Sequence, residues 1–286
     1  MYDLSGKVAL VTGASGRRGV GHAIAVRLAS EGADVAVTDK NIVIPREAER
    51  VAGWQGLESV AQEIQSLGSR SLVLTADITQ SQQVNEMVGK VVAELGHIDI
   101  LVNNAGIGGP RNSPVIDMED EEWLNVLTVN LTGAFYCCRA VGKKMIEQGK
   151  GGAIVNISSI SGKIATPGAF DGGKSAYCAS KFGLIGLTQD LAIEFAPHQI
   201  KVNAICPGSM RTDSMTALFR DEAKRQRITE EEAEAQYYQE WLRRSPLHRR
   251  GNIEEVAGMV AFLCSGESDY ILGQSINVDG GFLMAH

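Results

Sequence analysis

Apolar residues along the 286-residue chain fall into two alternating patterns. Short, nearly continuous runs of β-branched and aliphatic residues occur at KVALVT (7–12), DVAVT (34–38), SLVLT (71–75), DILVN (99–103), AIVNIS (153–158), KVNAI (201–205) and SINV (275–278). Between them, stretches such as QSQQVNEMVGKVVAELG and EEWLNVLTVNLTGAFYCCRAVGKKMIEQG repeat apolar residues at helical spacing. A strand that is apolar throughout must be covered on both faces, as in a parallel sheet sandwiched between helices. Right-handed crossovers then give an α/β fold: a doubly wound, Rossmann-type parallel sheet of seven strands with helices on both faces. No Pro/Gly/Ser-rich linker and no repeat divides the chain, so residues 1–286 read as a single domain.

Two segments extend this pattern. Residues 41–56, NIVIPREAERVAGWQG, delay the helix that follows the second strand. Residues 210–250 contain the mixed-charge stretch RDEAKRQRITEEEAEAQYYQEWLRR, which reads either as a solvated helix or as a substrate lid. The lid reading follows from position, because the segment leaves the carboxyl end of a strand, where ligands of open α/β sheets bind.

Composition narrows the function classes. A formal charge of −7 and a pI near 5.4 speak against nonspecific nucleic-acid binding, which needs clustered Lys and Arg. The N-terminus lacks a charged-then-apolar signal layout, and no apolar run is long enough to span a bilayer, so neither membrane nor export is expected. Five cysteines without CxxC spacing and five scattered histidines read as core thiols and isolated imidazoles in a cytoplasmic, metal-free protein.

The sequence TGASGRRGVG (12–21) joins the first strand to a helix-like run. Gly13, Gly16, Gly19 and Gly21 let the backbone approach a phosphate closely, and the helix beginning near Gly19–Val20 aims its positive end at that charge. Asp39 ends the second strand, placed to accept hydrogen bonds from ribose hydroxyls; Asp77 follows the third strand, placed to meet an adenine edge. Tyr177 and Lys181 lie four residues apart in a helical run and so share one face. An ammonium there would favour a phenolate that otherwise forms only near pH 10.

TGASGRRGVG, NNAG (103–106), YCASK (177–181) and PGSMRT (207–212), in this order, resemble the short-chain dehydrogenase/reductase family. The resemblance runs from LSGKVALVTG to INVDGGF. It implies a nicotinamide dinucleotide cofactor, a small-molecule alcohol or ketone substrate and a homotetramer. It further implies a catalytic set of Asn130, Ser159, Tyr177 and Lys181. Ser159 would hold the substrate oxygen, Tyr177 would exchange its proton, and Asn130 would hold a water leading to Lys181. A strand-end serine that merely caps the next turn suits Ser158 better than Ser159. The implied cofactor contacts are Gly13, Arg18, Gly19, Gly21, Asp39, Asp77, Ile78, Asn104, Tyr177, Lys181, Pro207, Gly208 and Thr212. Asn103 is expected on the ribose side and in support of the central strand; Arg211 either contacts the diphosphate or lies on the lid surface. Two departures stand out. The glycine loop is longer than the family's between Gly13 and Gly19, and the interval from Ser159 to Tyr177 carries an insertion at about 168–175, read either as an inert bulge or as a wall of the substrate pocket. Arg18 accompanies NADP preference in the family, whereas the Asp39 carboxylate repels a 2′-phosphate. NAD is therefore the expected cofactor, with NADP the alternative.

Overall fold

The alternation of side chains along each strand divides the apolar residues between two cores. In β1 (Val8–Thr12), Ala9 and Val11 face one core while Val8 and Leu10 face the other. The first core is closed by α1 (Val20–Ser30), α2 (Leu57–Ser66) and α9 (Ile253–Cys264), through Ile24, Leu28, Val60, Ile64 and Val260. The second is closed by α3 (Ser81–Leu95), α5 (Gly133–Gln148) and α6 (Ser175–Phe195), through Val88, Val91, Val141 and Phe195. The computed structural model describes residues 2–41, 53–108, 114–165 and 174–284. Most of the expected insertions at 41–56 and 168–175 lies outside the described residues.

The remaining strands are β2 (Asp34–Asp39), β3 (Ser71–Thr75), β4 (Ile100–Asn103), β5 (Gly152–Ile157), β6 (Ile200–Pro207) and β7 (Ser275–Val278). All pairs are parallel, in the order β3-β2-β1-β4-β5-β6-β7. Winding reverses between β1 and β4, which opens a crevice at their carboxyl ends. The expected α/β, doubly wound seven-stranded sheet is the observed one. β4 starts one residue later than the pattern suggests because Asp99 turns its carboxylate back to Val8 N, at 2.9 Å.

Two details place the site. A single helical run expected over 121–149 is α4 (Asp120–Leu127), a π-turn at Thr128–Thr132, and α5. The wider turn rotates α5 relative to α4, and such bulges recur at functional sites. The 210–250 segment forms α7 (Asp213–Gln226) and α8 (Glu230–Arg244), which are not merely solvated. Phe219, Ala223, Ala233 and Tyr238 bury a small core of their own between them. Thr229 begins α8 with a capping box, its Oγ1 accepting from Glu232 N at 3.1 Å and Glu232 Oε2 accepting from Thr229 N at 2.8 Å. Buried Arg250 fastens the pair to the body: it bonds Glu234 and the Met210 carbonyl and lies 4.0 Å from the Tyr238 ring centre. No helix among the described residues is long and apolar enough to cross a membrane.

Candidate active site

The glycine loop is held from the β4 side. Thr12 Oγ1 accepts from Asn104 N and Ala105 N, both at 3.1 Å, while Asn104 Nδ2 donates to the carbonyls of Thr12 and Gly13, both at 2.9 Å. Gly13 has φ +68°, and a Cβ there would lie 2.6 Å from Ala105 Cα. Gly21 is as crowded: its Cβ would lie 2.4 Å from Asn104 Nδ2 and 2.5 Å from the Gly13 carbonyl oxygen. Gly19 is the N-cap of α1 and supplies no side-chain cap, so the first N–H groups of that helix stay open to an anion.

At the ends of β2 and β3 the acidic residues are already engaged. Asp39 Oδ2 accepts from Ser15 Oγ and, at 3.3 Å, from Ser15 N, which ties β2 to the glycine loop. Asp77 accepts from Thr79 N and Oγ1 and pairs with Lys40 Nζ at 2.9 Å. Its partial burial disfavours the charged form, but the bonds from Lys40 and Thr79 outweigh that and hold the carboxyl below its ordinary range. Lys40 therefore faces Asp77 rather than Asp39. Arg18 is exposed. Ile78 is buried and packs on Gly133, where a Cβ would lie 2.8 Å from Ile78 Cδ1.

The catalytic candidates converge where α6 crosses the end of β5. Tyr177 is pushed above its ordinary pKa, by burial first and despite a hydrogen bond with the Ser159 side chain. Lys181 is buried, donates to the Ile157 carbonyl at 2.8 Å, and is pushed down to about 8 by loss of solvent. Its Nζ lies 5.7 Å from the Tyr177 ring centre. The expected depression of Tyr177 is thus not found in this state: burial dominates, and the ammonium is bonded to a carbonyl.

Asn130 sits in the π-turn, buried, and clamps the Ile107 peptide from both sides. Its Oδ1 accepts from Ile107 N at 2.8 Å and its Nδ2 donates to Ile107 O at 2.9 Å. The same Nδ2 donates to Ser180 Oγ, which donates in turn to the Tyr177 carbonyl at 2.7 Å. Gly106 completes this corner, since a Cβ there would lie 3.1 Å from Asn130 Oδ1 and 3.5 Å from Lys181 Nζ. Gly106 and Ser180 were not singled out from sequence; only the NNAG and YCASK motifs hinted at them.

Two further expectations change. Ser159, not Ser158, caps the turn after β5, its Oγ accepting from Ser161 N at 3.1 Å, while Ser158 Oγ donates to the Lys181 carbonyl at 3.0 Å. Ser159 thus carries both the cap and the bond with Tyr177. Asn103 does not lie on a ribose side: it is buried, donating to Asn156 Oδ1 at 2.9 Å, with Asn156 donating to Thr188 Oγ1 at 2.9 Å. This ladder joins β4, β5 and α6 beneath the site, so only the strand-supporting half of its expected role survives. The cysteines are free thiols, and burial pushes Cys138 and Cys264 up to about 12.

On the lid side, Pro207 ends β6, and Gly208 N donates to the Val278 carbonyl at 3.0 Å. A Cβ on Gly208 would lie 2.7 Å from Trp241 Cζ2, so α8 rests directly on this glycine. Trp241 stacks on Phe282 at 3.9 Å. Thr212 is the N-cap of α7 and Arg211 is exposed.

The family model described as enoyl-(acyl carrier protein) reductase matches residues 13–283. A short-chain dehydrogenase/reductase of Armillaria gallica is 40% identical over 97% of this chain and 96% of its own. A 3-oxoacyl-[acyl-carrier-protein] reductase of Staphylococcus aureus is 38% identical over 97% and 98%. Among solved structures, an NAD+-bound xylitol dehydrogenase superposes with a TM-score of 0.81 at 35% identity, covering 97% of this chain and 99% of that one. Gly21→Ala is expected to force the loop apart from Asn104 and to lower stability by about 1–3 kcal/mol, read as a drop in the midpoint of thermal unfolding.

Proposed function

The chain belongs to the short-chain dehydrogenase/reductase family of oxidoreductases, and from that premise we propose that it interconverts a secondary alcohol and its ketone with NAD(H). The observation that carries this reading is the convergence of Ser159, Tyr177 and Lys181 at the end of β5, with Asn130 clamping the adjoining corner. The dinucleotide fits the residues present: the N-terminus of α1 is uncapped, Gly13 and Gly21 admit no side chain, and Asp39 stands at the end of β2. Gly13, Gly19, Gly21, Asp39, Asp77, Ile78, Asn104, Pro207, Gly208 and Thr212 border the crevice that would hold it.

When bound, the dinucleotide supplies the hydride acceptor or donor. Ser159 Oγ holds the substrate oxygen and fixes the distance to Tyr177. In oxidation the Tyr177 oxygen takes the hydroxyl proton; in reduction it returns one. Lys181 places positive charge behind the phenol ring and makes the deprotonated state accessible in a buried site. Asn130 keeps the Ile107 peptide fixed beside Lys181, so that a water can connect the amine to solvent.

Asp39 favours NAD, because a carboxylate at the end of β2 meets hydroxyls well and a phosphate badly. Lys40, being paired with Asp77, offers little offset. The second reading, an NADP(H)-dependent carbonyl or 3-oxoacyl-type reductase, draws on the exposed Arg18 and on the Staphylococcus aureus relative. The residues from 210 to 250 serve as the substrate lid in either case. Exposed Trp123, Leu124, Phe135 and Phe182 on α4, α5 and α6 support self-association, up to the homotetramer usual in the family.

Reduced-cofactor absorbance followed across an alcohol and ketone panel, with NAD and NADP in parallel, tests the reading; turnover confined to NADP would overturn the cofactor choice. Tyr177→Phe is expected to lower kcat about 10²–10⁴-fold while calorimetry finds dinucleotide binding intact. A variant that turns over normally, or that no longer binds, contradicts the assigned role. Lys181→Met removes the charge that favours the phenolate. The rising limb of alcohol oxidation against pH is therefore expected to move to higher pH, as read from kcat/KM profiles.

A further inference from the structure

The lengthened turn after β1 is gripped by a side chain that the catalytic reading leaves unused. His22, in the first turn of α1, has its Nδ1 on the Arg17 carbonyl oxygen at 2.5 Å. Its Nε2 lies 2.8 Å from Glu63 Oε2 on α2. A carbonyl and a carboxylate only accept hydrogen bonds, so satisfying both partners requires a proton on each ring nitrogen. Trp54 flanks the ring at 5.0 Å between centres, and its Nε1 donates to the Ser15 carbonyl at 2.8 Å. His22 and Trp54 thus brace the glycine loop against α1 and α2.

This brace has a directional consequence. A peptide unit is planar and trans, so its C=O and N–H point in opposite directions. Drawing the Arg17 carbonyl towards His22 turns the Arg18 N–H away from the His22 ring. No acceptor among the described residues takes that N–H, and it adjoins the uncapped N–H groups at the start of α1.

We propose that His22 is a positioning residue for the cofactor: it fixes the Arg17–Arg18 peptide so that the Arg18 N–H donates to the dinucleotide diphosphate. The inference rests on the dinucleotide-binding reading above and gives the loop's additional length a purpose. Removing the ring's contact with Arg17 releases that peptide, so cofactor affinity depends on the polar atoms of His22 and not on its bulk alone. The charged groups around the ring are Arg17 and Arg18 from the loop, Arg27 from α1, Glu63 from α2 and Glu254 from α9, which line one cavity of about 350 Å³ with it. Arg27 is committed to Glu31 at 2.8 Å, and Asp39 is committed to Ser15.

Titration calorimetry with NAD or NADP, whichever binds, on the wild type, His22→Phe and His22→Gln tests the proposal. His22→Phe keeps an aromatic ring beside Trp54 but removes the contact with Arg17, and it is expected to bind the dinucleotide roughly five- to tenfold more weakly. His22→Gln, whose amide N–H can still reach a carbonyl, is expected to recover part of that loss. In both variants kcat at saturating cofactor is expected to stay at the wild-type value, a split between affinity and turnover that a general loss of packing would not give. Unchanged affinity in His22→Phe, or a fall in kcat equal to the loss of affinity, overturns the role of His22. A wild type that binds no dinucleotide removes the functional reading, and this role with it.

Discussion

Everything at the candidate catalytic corner depends on how closely α6 approaches the carboxyl end of β5. A Cβ on Gly162 would lie 2.6 Å from the Lys181 carbonyl oxygen, so only glycine lets the turn after β5 touch the helix backbone there. Ser158 Oγ fastens the same carbonyl, and Lys181 Nζ reaches back to the Ile157 carbonyl. The helix is therefore bonded to the strand end both by its backbone and by its buried amine. With that contact set, Tyr177 has no alternative but to face Ser159. The polar ladder from Asn103 through Asn156 to Thr188 serves the same purpose one layer down, tying β4 and β5 to α6 in a region otherwise filled by aliphatic side chains. A buried amide held by directional hydrogen bonds resists sliding in a way that interchangeable aliphatic contacts do not.

Charge around the crevice is arranged by similar local commitments. Lys40 neutralises Asp77 and Arg27 neutralises Glu31, leaving Asp39 with dipolar partners, the Ser15 hydroxyl and N–H. Asp39 is thus held in one orientation at the mouth of the crevice. Burial acts in opposite directions on the two central groups, pushing the phenol of Tyr177 up and the amine of Lys181 down. Both shifts favour neutral forms, so a charge that appears during reaction must be stabilised by groups already in place.

The parallel sheet was legible because each strand is apolar on both faces, and the placing of Tyr177 and Lys181 on one helix face was legible because one helical turn separates them. The residues that escaped the sequence are those whose partners are distant. Nothing along the chain announces that Asn130 grips Ile107, that Ser180 links Asn130 to Tyr177, or that Trp54 covers Ser15. Asn103 and Asn104 are chemically identical neighbours, yet strand alternation sends one into the core and the other to the glycine loop. The π-turn was invisible for a different reason: one extra residue in a helix scarcely disturbs a hydrophobic pattern read over several turns. The cap fell to Ser159 and not to Ser158 because capping depends on the backbone angles of the turn and not on residue type.

The helix pair α7 and α8 carries a core of its own and, among the described residues, meets the body through Arg250, through the seat of Trp241 on Gly208, and through Trp241 and Arg244 on Phe282. Its interior residues Phe219 and Tyr238 pack on each other and on Arg250 rather than on the sheet. Substitutions inside the pair can therefore accumulate with little effect on the end of β5 and on α6. In a diverging lineage this separation makes α7 and α8 the part of the molecule freest to change, while the crevice stays the same.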